Sequence, residues 1–130
     1  MKFISTKEAP SAIGPYSQAV AVNGMVYTSG QIALNTKGEM VGNDVETQIH
    51  QVMKNLKEVL NAAGSEYHDV IKTTIFLADM DDFAKVNTIY AEYFGDHKPA
   101  RSTVAVKTLP KNALVEVDCI AQCDTCVNFG

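Results

Sequence analysis

Two short apolar runs between residues 17 and 29 are separated by Asn23-Gly24. Asparagine and glycine tolerate the positive φ angles of a two-residue type I′ turn, so this dipeptide is a strong signal for a tight hairpin. The pattern therefore predicts two antiparallel strands over residues 17–29. A further short edge strand is predicted at residues 2–5.

Two later segments carry apolar residues at helical spacing. The first has them at positions 45, 49, 52, 53, 56, 59, 60 and 63, which form a single stripe. Gly64 can supply the left-handed end of this segment, so we predict a helix over residues 44–63. The second stripe consists of Phe83, Val86, Tyr90, Tyr93 and Phe94. It predicts a second helix that ends at Gly95.

Three segments have the β-branched and aromatic composition of strands, namely residues 70–78, 102–107 and 114–122. Pro110 lies in the turn between the last two, where it interrupts no ladder. The predicted order is strand, strand, helix, strand, helix, strand, strand. This order indicates an α+β domain with a mixed sheet.

Each predicted helix has one apolar stripe, so the two can cover one face of the sheet and no more. In the last strand Val115, Val117, Cys119 and Ala121 alternate with Glu116, Asp118, Ile120 and Gln122. The first set suits the helix-covered face, and the second leaves the other face partly apolar because it includes Ile120. A partly apolar uncovered face is typical of subunit assembly.

Composition restricts the partners and the compartment. With 130 residues, of which 46% are hydrophobic, the chain has the size of one compact domain. Its formal net charge of −4 does not provide the basic surface that nucleic-acid binding needs. No apolar run approaches the roughly 20 residues of a membrane span. The N-terminus lacks a secretory pattern and three cysteines is an odd count, so we predict a cytoplasmic protein with no nucleic-acid or membrane partner.

The usual acid–base and metal-binding residues form no recognisable motif. His50 lies off the apolar stripe of the first helix, and His68 and His97 lie in predicted connections, so we expect surface positions for all three. Ser29 is followed by glycine, but its surroundings are not those of a nucleophile elbow. The sequence has neither a two-histidine metal motif nor a phosphate loop, and we expect no metal and no cofactor.

Three cysteines near the C-terminus have the spacing C-x3-C-x2-C, which can hold a metal cluster or a redox pair. Cys119 belongs to the inward set of the last strand, where a free cysteine acts as a small buried hydrophobe. Cys123 and Cys126 follow that strand. We therefore predict a domain over residues 1–122 and a loose cysteine-containing tail over residues 123–130, and we favour packing over metal or redox chemistry.

Arg101 is the single arginine among eleven basic residues and lies at the entrance of a predicted strand. Its planar guanidinium can hold a carboxylate through two parallel hydrogen bonds, although a plain surface arginine is an equal alternative on this ground alone. Glu116 lies on the uncovered face, where a glutamate is solvated, paired with a cation or functional. Asn87 lies on the apolar stripe of the second helix, where its amide must find a partner, and capping of a loop is the expected role.

Six blocks of the sequence stand in a characteristic order between residue 9 and about residue 122. They are residues 12–19 (AIGPYSQA), 28–32 (TSGQI), 70–76 (VIKTTIF), 83–87 (FAKVN), 99–102 (PARS) and 115–117 (VEV). Together they resemble the RidA family, the YjgF-type reactive intermediate deaminases. The resemblance implies a chorismate-mutase-like single α+β domain with two helices on one face of its sheet. It also implies a homotrimer whose sheets form a central barrel, with sites between the subunits.

The resemblance further implies an activity, the hydrolysis of 2-imino acids and of the enamines that tautomerise to them. Pyridoxal-phosphate enzymes release these compounds from serine or threonine, and the products would be a 2-keto acid and ammonia. The implied function is that of a 2-iminobutanoate/2-iminopropanoate deaminase with no cofactor. A trimeric regulator that binds a 2-keto acid without turnover remains the alternative, and the −4 charge disfavours a ribonuclease.

The resemblance also assigns residues. Arg101 matches the family arginine that holds the substrate carboxylate, and Glu116 matches the glutamate that positions the attacking water. The further substrate-binding positions are Tyr16, Ser29, Gly30 and Asn87. Thr103 stands where many members have cysteine, and the family role there is chiefly a backbone N–H, which threonine preserves. A carboxylate close to an arginine should stay ionised, so we expect Glu116 to do so.

Overall fold

The structure, a computed structural model, describes residues 1–126. In that part of the chain the strands and α-helices are β1 (Lys2–Ile4), β2 (Ala19–Val22), β3 (Met25–Thr28), α1 (Val45–Ala63), β4 (Val70–Leu77), α2 (Phe83–Phe94), β5 (Ala100–Ala105) and β6 (Val115–Gln122). This order confirms the predicted sequence of elements, including the edge strand near the N-terminus. No helix among residues 1–126 is long and apolar enough to cross a bilayer.

The strands form one sheet in the order β1-β2-β3-β6-β4-β5. The helix α2 connects β4 to β5, which run parallel, whereas all other neighbouring strands are antiparallel. The sheet is therefore mixed, and β6 lies in its centre between β3 and β4. The α+β fold class is confirmed.

Local sequence signals explain where these elements begin and end. Asn23 and Gly24 have φ angles of 50° and 78°, as the predicted hairpin turn requires. Asp44 caps α1 by accepting a hydrogen bond from the Thr47 amide at 3.1 Å, and Gly64 ends the helix in the left-handed region at φ 84°. The boundaries of α1 thus follow from its capping residues.

The hydrophobic core lies between the two helices and one face of the sheet. On β6, Val115, Val117, Cys119 and Ala121 are buried and alternate with Glu116, Asp118, Ile120 and Gln122, which are not. The buried set joins Ile49, Met53 and Leu60 of α1 and Val86 of α2 in one cluster. The opposite face of the sheet, called the outer face here, carries no helix in the described chain.

The structure corrects the predicted position of β5. This strand spans Ala100–Ala105 rather than residues 102–107, because its parallel partner β4 starts to pair with it at Lys72, opposite Ala100. Arg101 is therefore the second residue of a strand and not a residue in front of one.

The prediction of a loose tail is wrong for residues 123–126. Cys123 is 1% exposed and forms a disulfide with Cys126. The Cys123 amide donates to the Gly24 carbonyl and the Gly24 amide donates to the Cys126 carbonyl, both at 2.8 Å. These bonds attach the segment to the β2–β3 turn. The rest of the predicted tail, residues 127–130, lies outside the described residues.

Candidate functional site

The structure places Arg101 and Glu116 on opposite faces of the sheet. Arg101 pairs with Thr73 of β4, and paired residues of a parallel ladder share a face. Thr73 is buried and its hydroxyl bonds the Tyr90 hydroxyl of α2, so this is the helix-covered face. Glu116 belongs to the outer set of β6 and pairs with Phe76. The two side chains therefore leave the sheet on opposite sides, and the cavities that they line share no residue.

Arg101 is exposed and is held by residues of α2. Its Nη1 donates to the Asn87 Oδ1 at 2.7 Å. Its guanidinium carbon lies 5.4 Å from the ring centre of Phe83 and 5.1 Å from that of Tyr90. Asn87 therefore bonds Arg101, rather than capping a loop as we expected from sequence.

A cavity of about 480 Å³ opens beside Arg101. Asn87, Tyr90, Phe94, His97, Lys98 and Arg101 are among the residues that line it. Lys98 and Arg101 give it positive charge, and the rings give it an apolar wall. Such a lining suits a small anion with an apolar part.

Glu116 lies in a second cavity of about 490 Å³, with Tyr16, Ser29 and Gly30 also in its lining. Gln31 and Val117 exchange backbone hydrogen bonds at 2.9 and 3.2 Å, which hold the loop after β3 against β6. A Cβ atom on Gly30 would stand 2.8 Å from the Cδ of Glu116, so this approach requires glycine. The structure thus brings four of the predicted site residues together.

The hydroxyls of Ser29 and Tyr16 have structural partners. The Ser29 Oγ donates to the Ser17 carbonyl at 2.5 Å, and the Tyr16 hydroxyl accepts from the Ile13 amide at 3.3 Å. Tyr16 is 53% exposed at the cavity rim. Its ring is therefore available to a ligand, whereas the Ser29 hydroxyl mainly holds the loop.

Sequence reasoning missed Gln18, which is buried and lines the Glu116 cavity. Its side-chain amide donates to the carbonyls of Thr6 and Pro10 at 3.1 and 2.8 Å, and its Oε1 accepts from the Thr6 amide at 2.6 Å. These bonds hold the N-terminal segment over the cavity. The signal in the sequence was a glutamine directly before the apolar run of β2.

The pKa of Glu116 is raised, first by its burial and then by the negative charge of Asp118. Burial also raises the pKa of Asp118, although a hydrogen bond from Thr74 and the charge of Lys72 act to lower it. Arg101 is not among the groups that act on Glu116 within one chain. The expectation that a nearby arginine keeps Glu116 ionised is therefore not met within one chain.

Thr103 lies on the helix-covered face, opposite Ile75 of β4. Its Oγ1 is buried and has no hydrogen-bond partner among residues 1–126. Within one chain the cavity beside Arg101 does not include Thr103 in its lining. The structure thus brings Asn87 to Arg101 but leaves Thr103 apart from both cavities.

The histidines differ in their environments. His50 is half-buried with its Nδ1 2.8 Å from the Tyr93 hydroxyl, and His97 is half-buried with its Nε2 2.6 Å from the Val70 carbonyl. The prediction of surface positions is therefore wrong for these two, and His68 is exposed as expected. No group of three His, Cys, Asp or Glu residues within residues 1–126 has metal-binding geometry.

Comparisons with known proteins agree on one family. The family model described as "Endoribonuclease L-PSP" matches residues 6–123. The 2-iminobutanoate/2-iminopropanoate deaminase of Mus musculus is 49% identical over 121 residues, covering 92% of this chain and 90% of its own. A Lactococcus lactis protein whose name describes a candidate regulator, AldR, is 52% identical over 123 residues, covering 94% and 98%.

A solved structure shares the fold. The crystal structure of Escherichia coli TdcF with bound serine superposes with a TM-score of 0.89 at 42% identity, covering 94% of this chain and 98% of that one. The ligand in that relative is a small molecule with a carboxylate. Together with the match of the family model over most of the chain, these similarities show that the chain belongs to the YjgF/RidA family.

Proposed function

We propose that the protein hydrolyses small 2-imino acids to 2-keto acids and ammonia. The observation that carries this proposal is the pair of chemically complementary half-sites, an exposed guanidinium fixed on α2 and a half-buried carboxylate beneath Gly30. The names of relatives at about half identity support the reaction class. The cytoplasm remains the expected compartment, and the division of the chain after residue 122 remains a prediction.

We further propose that two subunits of a homotrimer complete each site. Arg101 of one subunit would then lie across a cleft from the Glu116, Tyr16 and Gly30 of its neighbour. The opposite orientations of Arg101 and Glu116 within one chain support this arrangement. The outer face supports it as well, because Phe3, Tyr27 and Val104 are 69%, 45% and 43% exposed there.

In the proposed reaction, Arg101 holds the substrate carboxylate through two parallel hydrogen bonds. The imine carbon is already electrophilic, so the protein has to place one water close to it. Glu116 orients that water and accepts one of its protons as the C–O bond forms. Glu116 accepts this proton in its ionised form, which the Arg101 of the neighbouring subunit would favour. Glu116 passes this proton to the imine nitrogen and then carries the second proton of the water from the carbinol oxygen to the same nitrogen. The C–N bond breaks, the nitrogen leaves as ammonia, and the carbinol oxygen becomes the keto group.

The test uses 2-iminopropanoate or 2-iminobutanoate made in situ by an amino-acid oxidase and trapped with semicarbazide. The protein should slow the appearance of semicarbazone because hydrolysis competes with trapping. Arg101→Lys keeps the charge but loses the planar fork. The loss of one charge-assisted hydrogen bond, about 1.5 to 3 kcal/mol, should lower kcat/KM about ten- to a hundredfold. Equal trapping with and without the protein contradicts the proposal.

The alternative function is a regulator that binds a 2-keto acid through Arg101 without turnover. The L. lactis relative named as a candidate regulator favours it, as does the serine bound to TdcF. Turnover by the wild type separates the two functions, and Glu116→Gln tests whether the carboxylate carries that turnover. In a deaminase it should abolish hydrolysis while 2-oxobutanoate still binds. A wild-type protein that binds 2-oxobutanoate but leaves the trapping rate unchanged would favour the regulator.

A further inference from the structure

Arg101 has three contacts with one side of α2. Phe83, Asn87 and Tyr90 are spaced by four and three residues, so they share one face of this helix. Asn87 accepts one hydrogen bond from Nη1, and the rings of Phe83 and Tyr90 both lie within the range of cation–π attraction. A long exposed side chain is therefore held at its charged end by three neighbouring groups.

Tyr90 is itself fixed to the strand next to Arg101. Its hydroxyl forms a 2.8 Å hydrogen bond with the hydroxyl of Thr73, and both residues are buried. Thr73 is the direct partner of Arg101 in the β4–β5 ladder. Tyr90 thus connects α2, which holds the guanidinium, to β4, the strand next to the one that carries Arg101. Burial raises the pKa of Tyr90, which keeps this hydroxyl neutral.

We infer that Asn87 and Tyr90 are positioning residues that fix the Arg101 guanidinium before a substrate arrives. The bond to Asn87 occupies one N–H of Nη1. The edge formed by Nε and Nη2 has no hydrogen-bond partner among residues 1–126, and it presents the two parallel N–H groups that a carboxylate needs. This inference rests on the proposed role of Arg101 as a carboxylate clamp. It gives Asn87 a function through Arg101 instead of through direct contact with the substrate.

The chain offers a direct measurement because Arg101 is its single arginine. Full-length protein labelled with ¹³C and ¹⁵N in arginine gives carbon-detected guanidinium spectra that contain one residue. Slow rotation about the Cζ–Nε bond gives two separate Nη signals, and fast rotation averages them into one. The wild type without ligand should show two. A single averaged signal would overturn the inference, whatever the protein's activity.

Asn87→Leu removes the acceptor while keeping the number and branching of the side-chain heavy atoms, and it should merge the two Nη signals. The same variant should weaken the binding of 2-oxobutanoate about tenfold, with a change in kcat below about threefold, because a mobile guanidinium must be ordered on binding. Asn87→Asp should rescue the two signals, since it keeps an acceptor oxygen, but not the affinity, since its charge competes with the ligand. A purely structural role would give neither the signal change nor this rescue.

The controls separate the contribution of each group. Thr88→Ala changes the next residue of α2, whose exposed side chain bonds the Ala84 carbonyl at 3.1 Å, and it should leave the Nη signals unchanged. Tyr90→Phe keeps the ring and removes its hydrogen bond to Thr73. The two Nη signals should therefore broaden but stay separate, whereas Asn87→Leu should merge them. Unchanged signals in both Asn87→Leu and Tyr90→Phe would overturn the inference. If the signals behave as expected but 2-oxobutanoate does not bind the wild type, the proposed function fails and the positioning of Arg101 stands.

Discussion

Gly30 lies so close to Glu116 that even a methyl side chain at this position would collide with the candidate catalytic carboxylate. A Cβ atom there would stand 2.8 Å from Cδ, 3.0 Å from Cγ and 3.1 Å from Oε2 of Glu116. The backbone of Gly30 does not have a positive φ, so alanine suits the backbone conformation, and the three nearest atoms that its Cβ would meet all belong to Glu116. We predict that Gly30→Ala displaces the carboxylate and lowers kcat/KM for imine hydrolysis about a hundredfold.

The melting temperature serves as the control for this variant. It should change by only a few degrees, because the displaced group is one half-buried side chain beside an exposed loop residue. A Gly30→Ala protein with wild-type turnover would show that the approach of Gly30 to Glu116 has no part in catalysis. Unfolding would instead show that the loop needs glycine for its own conformation.

Glu116 and Asp118 together determine the pH dependence at this site. The charge of Asp118 opposes ionisation of Glu116 and, after burial, contributes to its raised pKa. Hydrolysis needs the ionised form, so activity should be lost as the pH falls through the pKa of Glu116. Asp118→Asn removes the opposing charge and should shift the acid limb of the kcat/KM profile to lower pH. Glu46→Gln, an exposed change in the first turn of α1, should leave the limb in place. A shift to higher pH in Asp118→Asn would contradict the assignment of Glu116.

At the scale of elements, the sequence was sufficient wherever local chemistry decides the structure. Asn23-Gly24 and Gly64 fix a turn and the end of a helix through backbone conformation, and each is read from a few neighbouring residues. The start of β5 was missed by two residues because it depends on the register with β4. Register is set by long-range pairing, which a single strand does not encode.

The candidate site was predictable only in part for the same reason. The resemblance supplied its residues, and the alternation of β6 placed Glu116 on the uncovered face, but neither gave the distribution of Arg101 and Glu116 between the two faces. That distribution follows from the pairing of Arg101 with Thr73 and of Glu116 with Phe76. Gln18 escaped notice because its four side-chain hydrogen bonds reach back 8 to 12 residues to a segment without regular structure.

The C-terminal segment acts as an extension of the β3–β6 pairing. Cys123 follows Gln122, the last residue of β6, and is buried in the core cluster. Truncation after Gln122 removes this side chain and the bonds to Gly24. We predict a loss of roughly 1 to 3 kcal/mol in the free energy of unfolding, and a melting temperature lower by several degrees. Truncation after Cys126 keeps these contacts and is the matched control. Equal melting temperatures for the two truncations would contradict the prediction.

At the scale of the whole molecule, an exposed apolar face and a divided site would both be explained by assembly with other copies of the chain. Its outer face exposes Phe3, Tyr27 and Val104, and its two half-sites point away from each other. In the proposed homotrimer, one heterologous contact between like chains would close a ring, cover apolar surface and place an Arg101 near a foreign Glu116. Light scattering should therefore report about three times the chain mass of 14.1 kDa.

Mixing two inactive variants tests whether two subunits share the site. A site in a mixed trimer is intact when a Glu116→Gln chain supplies its arginine and an Arg101→Ala chain supplies its glutamate. Random assembly of equal amounts makes about one site in four intact, so mixing and reassembly should restore about a quarter of the wild-type rate. Mixing Arg101→Ala with the double variant leaves no intact site and should restore nothing. If the first mixture also stays inactive although mass spectrometry finds mixed trimers, Arg101 and Glu116 do not serve one site across the subunit boundary.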